Sequence, residues 1–186
     1  MTIQHNLITG SDLHEPKGVA AASNKTVYVA NGSGSGAWTA PNAVANVYIA
    51  FNSSSPGYTQ ANTTSDVILD PTWVSGVISD FTVQTSPNAR LRYDGTDTKN
   101  VNITLAMACN QASGSNKNVE FALFKNGTEI TGSRSIRTTT TSDWGNITVV
   151  GSTTMATNDY IEIKSKTSAS ATIQYASLSL RVLGAV

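Results

Sequence analysis

Charged residues are scarce in this sequence. Lys, Arg, Asp and Glu together make up 13% of the 186 residues, and the formal net charge is zero, whereas ordinary globular chains carry about 25% charged residues. A chain with so few charges has no basic field to hold nucleic acid or an anionic membrane. The composition therefore predicts neither a nucleic-acid partner nor a membrane partner.

Cysteine and long apolar runs are also lacking. The single cysteine, Cys109, has no intramolecular disulfide partner and falls in an alternating apolar segment, where a thiol behaves as a small hydrophobic group. No apolar stretch is long enough to span a bilayer, and the first ten residues, MTIQHNLITG, lack the basic and apolar regions of a secretory signal. We expect synthesis in a cytoplasm without a cleaved export signal.

Catalytic and metal-binding motifs are missing as well. Both histidines, His5 and His14, precede residue 15, and neither G-x-S-x-G nor H-E-x-x-H occurs. Asp66, Asp70 and Asp80 are scattered near predicted loops, where capping of turns explains them better than calcium, which needs clustered oxygen ligands. The sequence predicts no enzyme activity, no cofactor and no metal site.

Small polar residues are abundant instead. Ser, Thr and Asn make up about a third of the chain, while Glu, Lys and Leu, which favour helices, are few. From residue 76 onward eight strand-like runs are separated by turn residues, as in a β-sandwich or jelly roll. We predict an all-β, antiparallel jelly-roll sandwich over 76–186, preceded by an anchoring arm with a short helix and a hairpin over 1–45 and by a connector with strands over 46–75.

Three local patterns support that prediction. In NVNITLAMACN, Val101 to Cys109 alternate as a core face. In FKNG, Asn126 and Gly127 predict a type I′ turn between two strands. In the arm, PKGVAAA predicts one or two turns of helix over 16–22, and Thr26 to Ala30 with the following NGSGSG predict a strand and a tight turn.

The last strand has a change of parity. Leu178, Leu180 and Val182 form one apolar face, but Ile173 and Tyr175 fall on the opposite one. Either a β-bulge intervenes or both faces are covered, the second by another subunit.

These segments resemble a known group of proteins. LRYDGT, FKNG, WGNITV and NDYIEIKSKTS with the final strand resemble the C-terminal jelly-roll module of tailed-phage structural proteins, which is similar to the trimeric jelly rolls of the tumour-necrosis-factor and C1q type. DLHEPKGVAAASNKTVYVANGSGSGAW likewise resembles a short element of phage virion proteins. The resemblance implies a homotrimer, with Ile173 and Tyr175 as candidates for the threefold axis.

Two placements in a virion fit such a module. A capsid decoration, or cement, protein would bind the major capsid protein through its arm, on the outer surface of the shell, and would stabilise it. A tail-fibre or receptor-binding protein would touch host-surface glycans or proteins. The absence of heptads, collagen-like triplets and strand repeats that could form a shaft favours decoration; a glycan-degrading enzyme is the least favoured class.

The segment ITGSDLHEPKGVAAAS is the predicted docking arm. In an extended chain Asp12 and His14 lie on the same side and Glu15 on the other, so the three do not converge on one ligand. We therefore interpret the segment as a strap that binds the capsid, with these candidate contact residues: Leu13, His14, Glu15, Pro16 and Lys17.

One aromatic residue allows two interpretations. Trp144 follows the threonine run RTTTTSD, where an exposed indole beside hydroxyls would suit the face of a sugar. A Trp144 that is buried and closes the sandwich is the favoured prediction, because large aromatic residues commonly anchor cores.

Overall fold

Every regular element that the structure describes is a β-strand. This computed structural model describes residues 27–30, 36–39, 43–50, 56–86, 88–141 and 143–184. The strands are β1 (Val27–Ala30), β2 (Gly36–Thr39), β3 (Val44–Tyr48), β4 (Tyr58–Asn62), β5 (Val67–Ile68), β6 (Val74–Ser79), β7 (Phe81–Gln84), β8 (Arg90–Tyr93), β9 (Lys99–Gln111), β10 (Lys117–Lys125), β11 (Thr128–Glu129), β12 (Ser135–Thr139), β13 (Gly145–Met155), β14 (Tyr160–Thr167) and β15 (Ala171–Gly184).

All but β1 and β2 belong to two antiparallel sheets. Sheet I has the order β13-β9-β15-β3-β6, with β4 also paired to β15. Sheet II has the order β11-β10-β14-β8-β7, with β12 paired to β10 and β5 paired to β14. The hairpin of β1 and β2 forms a separate two-stranded sheet.

The strand order is that of a jelly roll. If the principal strands β3, β8, β9, β10, β12, β13, β14 and β15 are counted one to eight along the chain, sheet I runs 1-8-3-6 and sheet II runs 2-7-4-5. Eight antiparallel strands that pass between two facing sheets in this way make the double Greek key of a jelly roll. The predicted fold class is confirmed.

The predicted turn after Phe124 is confirmed in detail. Asn126 and Gly127 have φ angles of 50° and 79°, and the ladder on either side pairs Lys125 with Thr128. Positive φ at both central residues defines a type I′ turn, which Asn-Gly adopts with little strain. The predicted hairpin in the arm is also present, with Val27 opposite Thr39.

The core lies between the two sheets. The alternation predicted for β9 holds, since every second residue from Val101 to Cys109 is at most 3% exposed. Phe121 and Leu123 of β10 cover this row from sheet II, and Tyr93 and Ile163 extend the contact. Apolar side chains from both inner faces thus form one continuous core.

A β-bulge resolves the parity of the last strand. The register of β15 against β9 shifts between Tyr175 and Ser177, which places one extra residue in β15 and turns the preceding side chains to the other face. Ile173 and Tyr175 are therefore fully buried in the same core as Leu178. The prediction that Ile173 and Tyr175 face a threefold axis is wrong, because side chains buried within one chain have no surface left for a partner.

The sandwich begins earlier than residue 76. The first strand of the 46–75 region, β3, pairs with β15, and β5 pairs with β14, so the stretch interpreted as a connector contributes strands to both sheets. Residues Asn42–Ala185 form one compact unit, and Met1–Pro41 with Val186 form the other. The predicted helix over 16–22 and the docking residues 13–17 lie outside the described residues.

Truncating Ile173 tests its placement in the core. Ile173→Ala should lower the free energy of unfolding by about 2–5 kcal/mol, because it leaves a cavity among buried side chains. The matched control is Ile136→Ala, since Ile136 is 62% exposed and its truncation should change stability by less than about 0.5 kcal/mol. Denaturant titration measures both; a loss for Ile173→Ala that shrinks upon dilution of the protein would place this side chain between subunits instead.

Candidate functional site

The outward face of sheet I has almost no charge. Alternation along β9, together with the register of its neighbours, fixes which side chains point away from the core. We call the resulting surface the neutral face. Its members are Asn146, Thr148, Val150, Ser152 and Thr154 of β13; Asn100, Asn102, Thr104, Ala106 and Ala108 of β9; Ser177, Ser179, Arg181 and Leu183 of β15; and Val44, Asn46 and Tyr48 of β3. Arg181 alone among them is charged.

Exposed apolar side chains are concentrated on sheet I. On the neutral face Val150 is 59% exposed, and Tyr48 and Leu183 are each 39% exposed. The adjoining edge strand β6 adds Val74, which pairs with Tyr48, and Val77 at 69% exposed. These five are most of the seven large hydrophobic side chains that are exposed in the described part of the chain. The exposed large apolar side chains of the described residues therefore lie mainly on sheet I.

The polar members of the neutral face are small, and some already bind one another. Thr154 donates a hydrogen bond to the Asn100 amide oxygen at 2.8 Å, and Ser179 lies 3.5 Å from the Asn46 amide oxygen. Short side chains lose little conformational freedom when another surface covers them. The face can therefore be buried with small losses of entropy and with almost no charge to desolvate.

Arg181 is the exception on this face. It lies opposite Thr104 on one side and Asn46 on the other. Among the described residues, no carboxylate forms an ion pair with it. An arginine covered by another surface needs acceptors for its five donors. The side-chain oxygens of the neighbouring Thr and Asn residues, or of the same residues in a second copy of the chain, are neutral acceptors for these donors.

Sheet II has the opposite character, because its outward face carries ion pairs. Arg134 contacts three carboxylates, those of Glu129 at 2.5 Å, Asp66 at 3.1 Å and Glu120 at 3.3 Å. Hydrogen bonds to Glu129, and then to Asp66, raise the pKa of the Arg134 guanidinium above its ordinary value despite partial burial. Lys166 adds a further contact to Glu120 at 3.2 Å. A face with this many hydrated charges is suited to solvent.

A second set of charged pairs lies along β8; the Arg92–Asp94 pair is partly exposed, and the Arg90–Glu162 pair is largely buried. Arg92 donates to Asp94 at 2.6 Å, and Arg90 lies 3.6 Å from Glu162 while its guanidinium covers the ring of Tyr160 at 4.2 Å. The two sheets of one domain thus present different chemistry outward, charged on sheet II and neutral on sheet I.

Two of the three scattered acids bind other groups of the domain, and the third lies in a turn. Asp66 pairs with Arg134, and Asp70 accepts the backbone N–H of Ala89 at 2.5 Å. Asp80 has a φ of 61° in the turn between β6 and β7. In the described ranges, no group of three His, Cys, Asp or Glu side chains could hold a metal ion, and no helix could cross a membrane.

Trp144 is 42% exposed, so the prediction that it is buried and closes the sandwich is wrong. Arg137, and not Trp144, spans the two sheets at this edge of the sandwich. Its guanidinium lies over Gly145, where a Cβ atom would be 1.3 Å from Nη2, and its Nη1 donates to the carbonyl of Asn146 at 3.1 Å. Arg137 therefore bridges from β12 of sheet II to β13 of sheet I, and the indole is left at the surface.

Comparisons with known proteins give no family. No family model matches the chain, and no curated protein matches it. Among solved structures, murine APRIL at pH 5.0 is 11% identical, with 77% of this chain and 98% of that chain covered and a TM-score of 0.48. Eiger TNF from S. frugiperda is 8% identical, with coverage of 78% and 94% and a TM-score of 0.49. The CBM22-1 xylan-binding domain of Paenibacillus barcinonensis Xyn10C is 12% identical, with coverage of 75% and 94% and a TM-score of 0.40. The jelly-roll assignment rests on the strand order given above.

Sequence reasoning did not find the neutral face, although a signal was present. The alternation in NVNITLAMACN implies that Asn102, Thr104, Ala106 and Ala108 point away from the core. Their lack of charge becomes informative only when the outward residues of the neighbouring strands are known. The register that brings Val150 and Arg181 next to Thr104 joins residues from distant parts of the chain. Each strand alone looks like an ordinary half-buried strand.

Cys109 should be chemically inert in the folded protein. Burial raises the pKa of its thiol to about 11, against a smaller opposing effect of Arg137, so the thiolate fraction at pH 8 is about one in a thousand, compared with about a quarter for a free thiol. Iodoacetamide should modify Cys109 at least a hundredfold more slowly in buffer than in 6 M guanidinium chloride, as followed by mass spectrometry. Equal rates in the two solvents would show that Cys109 is accessible.

Proposed function

We propose that this chain is a non-enzymatic virion structural protein that associates into a homotrimer through the neutral face. The trimer decorates the outer surface of a phage capsid, binds the major capsid protein and stabilises the shell. The observation that carries the proposal is the division of charge between the two sheets, because it gives the domain one face suited to burial and one suited to water.

The extent of the neutral face agrees with a subunit interface. The neutral face has 17 outward positions on four strands about 4.8 Å apart, with outward residues about 6.8 Å apart along each strand, and so covers roughly 550 Å². A standard interface buries about 800 Å² on each partner, so the neutral face supplies about two thirds of that area before the edge strand β6 is added. Its chemistry also fits, since the centre of an interface is depleted in charge.

A second copy of the same chain is the occupant that we favour. Identical neutral faces are compatible with one another without any complementary charge, and closed symmetry leaves no such face exposed. The threefold order is supported by the resemblance to trimeric jelly-roll modules of phage proteins. Placement on a capsid is supported by the same resemblance and by the predicted arm residues Leu13 to Lys17.

A receptor-binding function is the second candidate. The exposed Trp144, which follows the threonine run of residues 138–141 in the sequence, favours it, because an exposed indole could stack on a sugar ring of a host-surface glycan. This candidate differs from decoration in where the protein binds, on the host cell and not on the shell.

A charged side chain introduced on the neutral face should dissociate the trimer into monomers. Val150→Lys adds a cation that must be desolvated in the trimer, and we expect the mass in solution to fall from that of three 19.5 kDa chains to that of one. Multi-angle light scattering measures the mass. Ile136→Lys is the matched control, because Ile136 is equally exposed but points outward from sheet II opposite Glu120.

Three results are decisive for the assembly. A monomeric Val150→Lys variant beside a trimeric Ile136→Lys variant supports the neutral face as the interface. A monomeric parent protein at micromolar concentration argues against self-association. Dissociation by Ile136→Lys alone would move the interface to sheet II.

Removing residues 1–23 tests the placement on the capsid. The shortened protein should keep the thermal unfolding transition of the sandwich and should no longer co-sediment with undecorated capsids, whereas the complete chain should co-sediment with them. Retained attachment would contradict the role of the arm. If the complete chain binds host cells and not capsids, the receptor-binding candidate replaces decoration.

A further inference from the structure

The turn that joins β10 to β11 contains a chemically labile pair of residues. Asn126 and Gly127 form its two central positions. Asparagine is among the thermolabile residues of proteins, and a following glycine hinders its reaction least, because glycine has no side chain to obstruct its backbone nitrogen. Asn126 is therefore a candidate for spontaneous deamidation. The other Asn-Gly pair of the sequence, Asn31 and Gly32, lies outside the described residues.

Deamidation requires the approach of two particular atoms. The Gly127 nitrogen attacks the side-chain carbonyl carbon, Cγ, of Asn126. A bond forms between these atoms, the bond from Cγ to Nδ2 breaks, and the proton of the Gly127 nitrogen leaves with Nδ2 as ammonia. Water then opens the cyclic succinimide at either carbonyl, which leaves an aspartate or an isoaspartate. Water is the only co-reactant, so the step needs no oxidant, reductant or enzyme.

The turn is open to solvent, so burial does not protect it. Asn126 and Gly127 are both exposed, and a Cβ atom placed on Gly127 would have no neighbour within 4 Å. Water can therefore reach the reacting atoms. Protection from deamidation has to come from the conformation in which the carboxamide is held.

Both ends of the Asn126 carboxamide are bound where β14 begins. Its Nδ2 donates to Oδ1 of Asp159 at 2.6 Å, and its Oδ1 accepts the backbone N–H of Tyr160 at 2.9 Å. The backbone N–H of Asn126 also donates to the carbonyl of Tyr160 at 3.1 Å. We call these three hydrogen bonds the Asn126 clasp. Together they fix the direction of the side chain as well as the position of the backbone.

Asp159 is itself held in place. Its Oδ2 accepts the backbone N–H of Ala156 at 2.8 Å and lies 3.1 Å from the Lys125 ammonium group. Burial alone would raise the pKa of Asp159, but the hydrogen bonds from Ala156, Asn126 and Lys125 together lower it. The carboxylate is therefore ionised at neutral pH, and a hydrogen bond to an ionised acceptor is stronger than one between neutral groups.

We propose that Asn126 is a latent deamidation site and that the Asn126 clasp keeps its Cγ away from the Gly127 nitrogen in the folded domain. Rotation of the carboxamide toward Gly127 has to break its bonds to Asp159 and Tyr160 first. The clasp therefore lets the chain use Asn-Gly, the sequence that suits a type I′ turn, without rapid loss of the asparagine. It lies within a single chain, so the inference does not depend on the proposed trimer or on a capsid.

Deamidation would damage the structure around the clasp. An aspartate at position 126 would place a second carboxylate against Asp159, where the amide now donates, and like charges at that distance repel each other. An isoaspartate would lengthen the backbone of the turn and disturb the pairing of Lys125 with Thr128. Either product should release the end of the hairpin from β14.

Timed deamidation tests the proposal. The complete protein is held at pH 8 in buffer and in 6 M guanidinium chloride, and mass spectrometry of proteolytic peptides measures the conversion of Asn126. We expect Asn126 to react at least tenfold more slowly in buffer than in denaturant. Asn31 in denaturant is the internal reference for an Asn-Gly pair under the same conditions. Equal rates for Asn126 in the two solvents would overturn the proposal.

Matched variants separate the effect of the clasp from that of the turn. Asp159→Ala removes the acceptor of Nδ2 and leaves the Asn-Gly sequence unchanged, so it should raise the rate in buffer at least fivefold. Asp159→Asn keeps an acceptor and should stay within threefold of the parent. Asp94→Ala is the control, because Asp94 is also partly exposed and paired with an arginine, and its side chain binds Arg92 and Thr82 on other strands.

The variants also define the results that would contradict the clasp. An unchanged rate in Asp159→Ala would overturn the proposal, because the turn alone would then protect Asn126. Equal acceleration by Asp159→Ala and Asp94→Ala would overturn it as well, since a general loss of stability would then be the cause. Denaturant titration of each variant measures that loss independently.

Discussion

The antiparallel pairing of β9 with β15 is the contact on which the rest of the structure depends. These are the two longest strands, and they lie side by side at the centre of sheet I. The bulge between Tyr175 and Ser177 keeps β15 directed at the core along its whole length, because the side chains on both sides of the extra residue then point inward. Without that shift, Ile173 and Tyr175 would point away from the core.

The same pairing creates the neutral face. Successive side chains of a strand point to opposite faces of the sheet. A strand whose apolar side chains all face the core therefore points the residues between them outward. On β9 and β15 those residues are small and uncharged apart from Arg181, whereas the outward residues of sheet II form ion pairs centred on Arg134. A domain divided in this way is suited to an assembly that covers sheet I and leaves sheet II in water. The few charged residues are therefore distributed unevenly between the outward faces of the two sheets.

Local patterns in the sequence predicted most of the fold. Alternation from Val101 to Cys109 and the Asn126-Gly127 pair depend on neighbouring residues, and both were predicted correctly. The errors concerned Ile173, Tyr175 and Trp144, whose environments depend on distant parts of the chain. The position of Ile173 in the alternation could be explained by a β-bulge or by a second face covered by another subunit. Only the register of β15 against β9 distinguishes the two explanations. The exposure of Trp144 depends on Arg137 of β12, which no local pattern connects to Gly145.

In the proposed assembly the neutral face is covered and the outward face of sheet II is not. Hydroxyl-radical footprinting of the parent protein measures this directly, since the rate of side-chain oxidation reports exposure residue by residue. If the neutral face is the subunit interface, Tyr48, Val150 and Leu183 are protected at high protein concentration and become reactive upon dilution, while Ile136 stays reactive throughout. Oxidation of Tyr48, Val150 and Leu183 at a rate that does not change with concentration, or protection of Ile136 in their place, would contradict it.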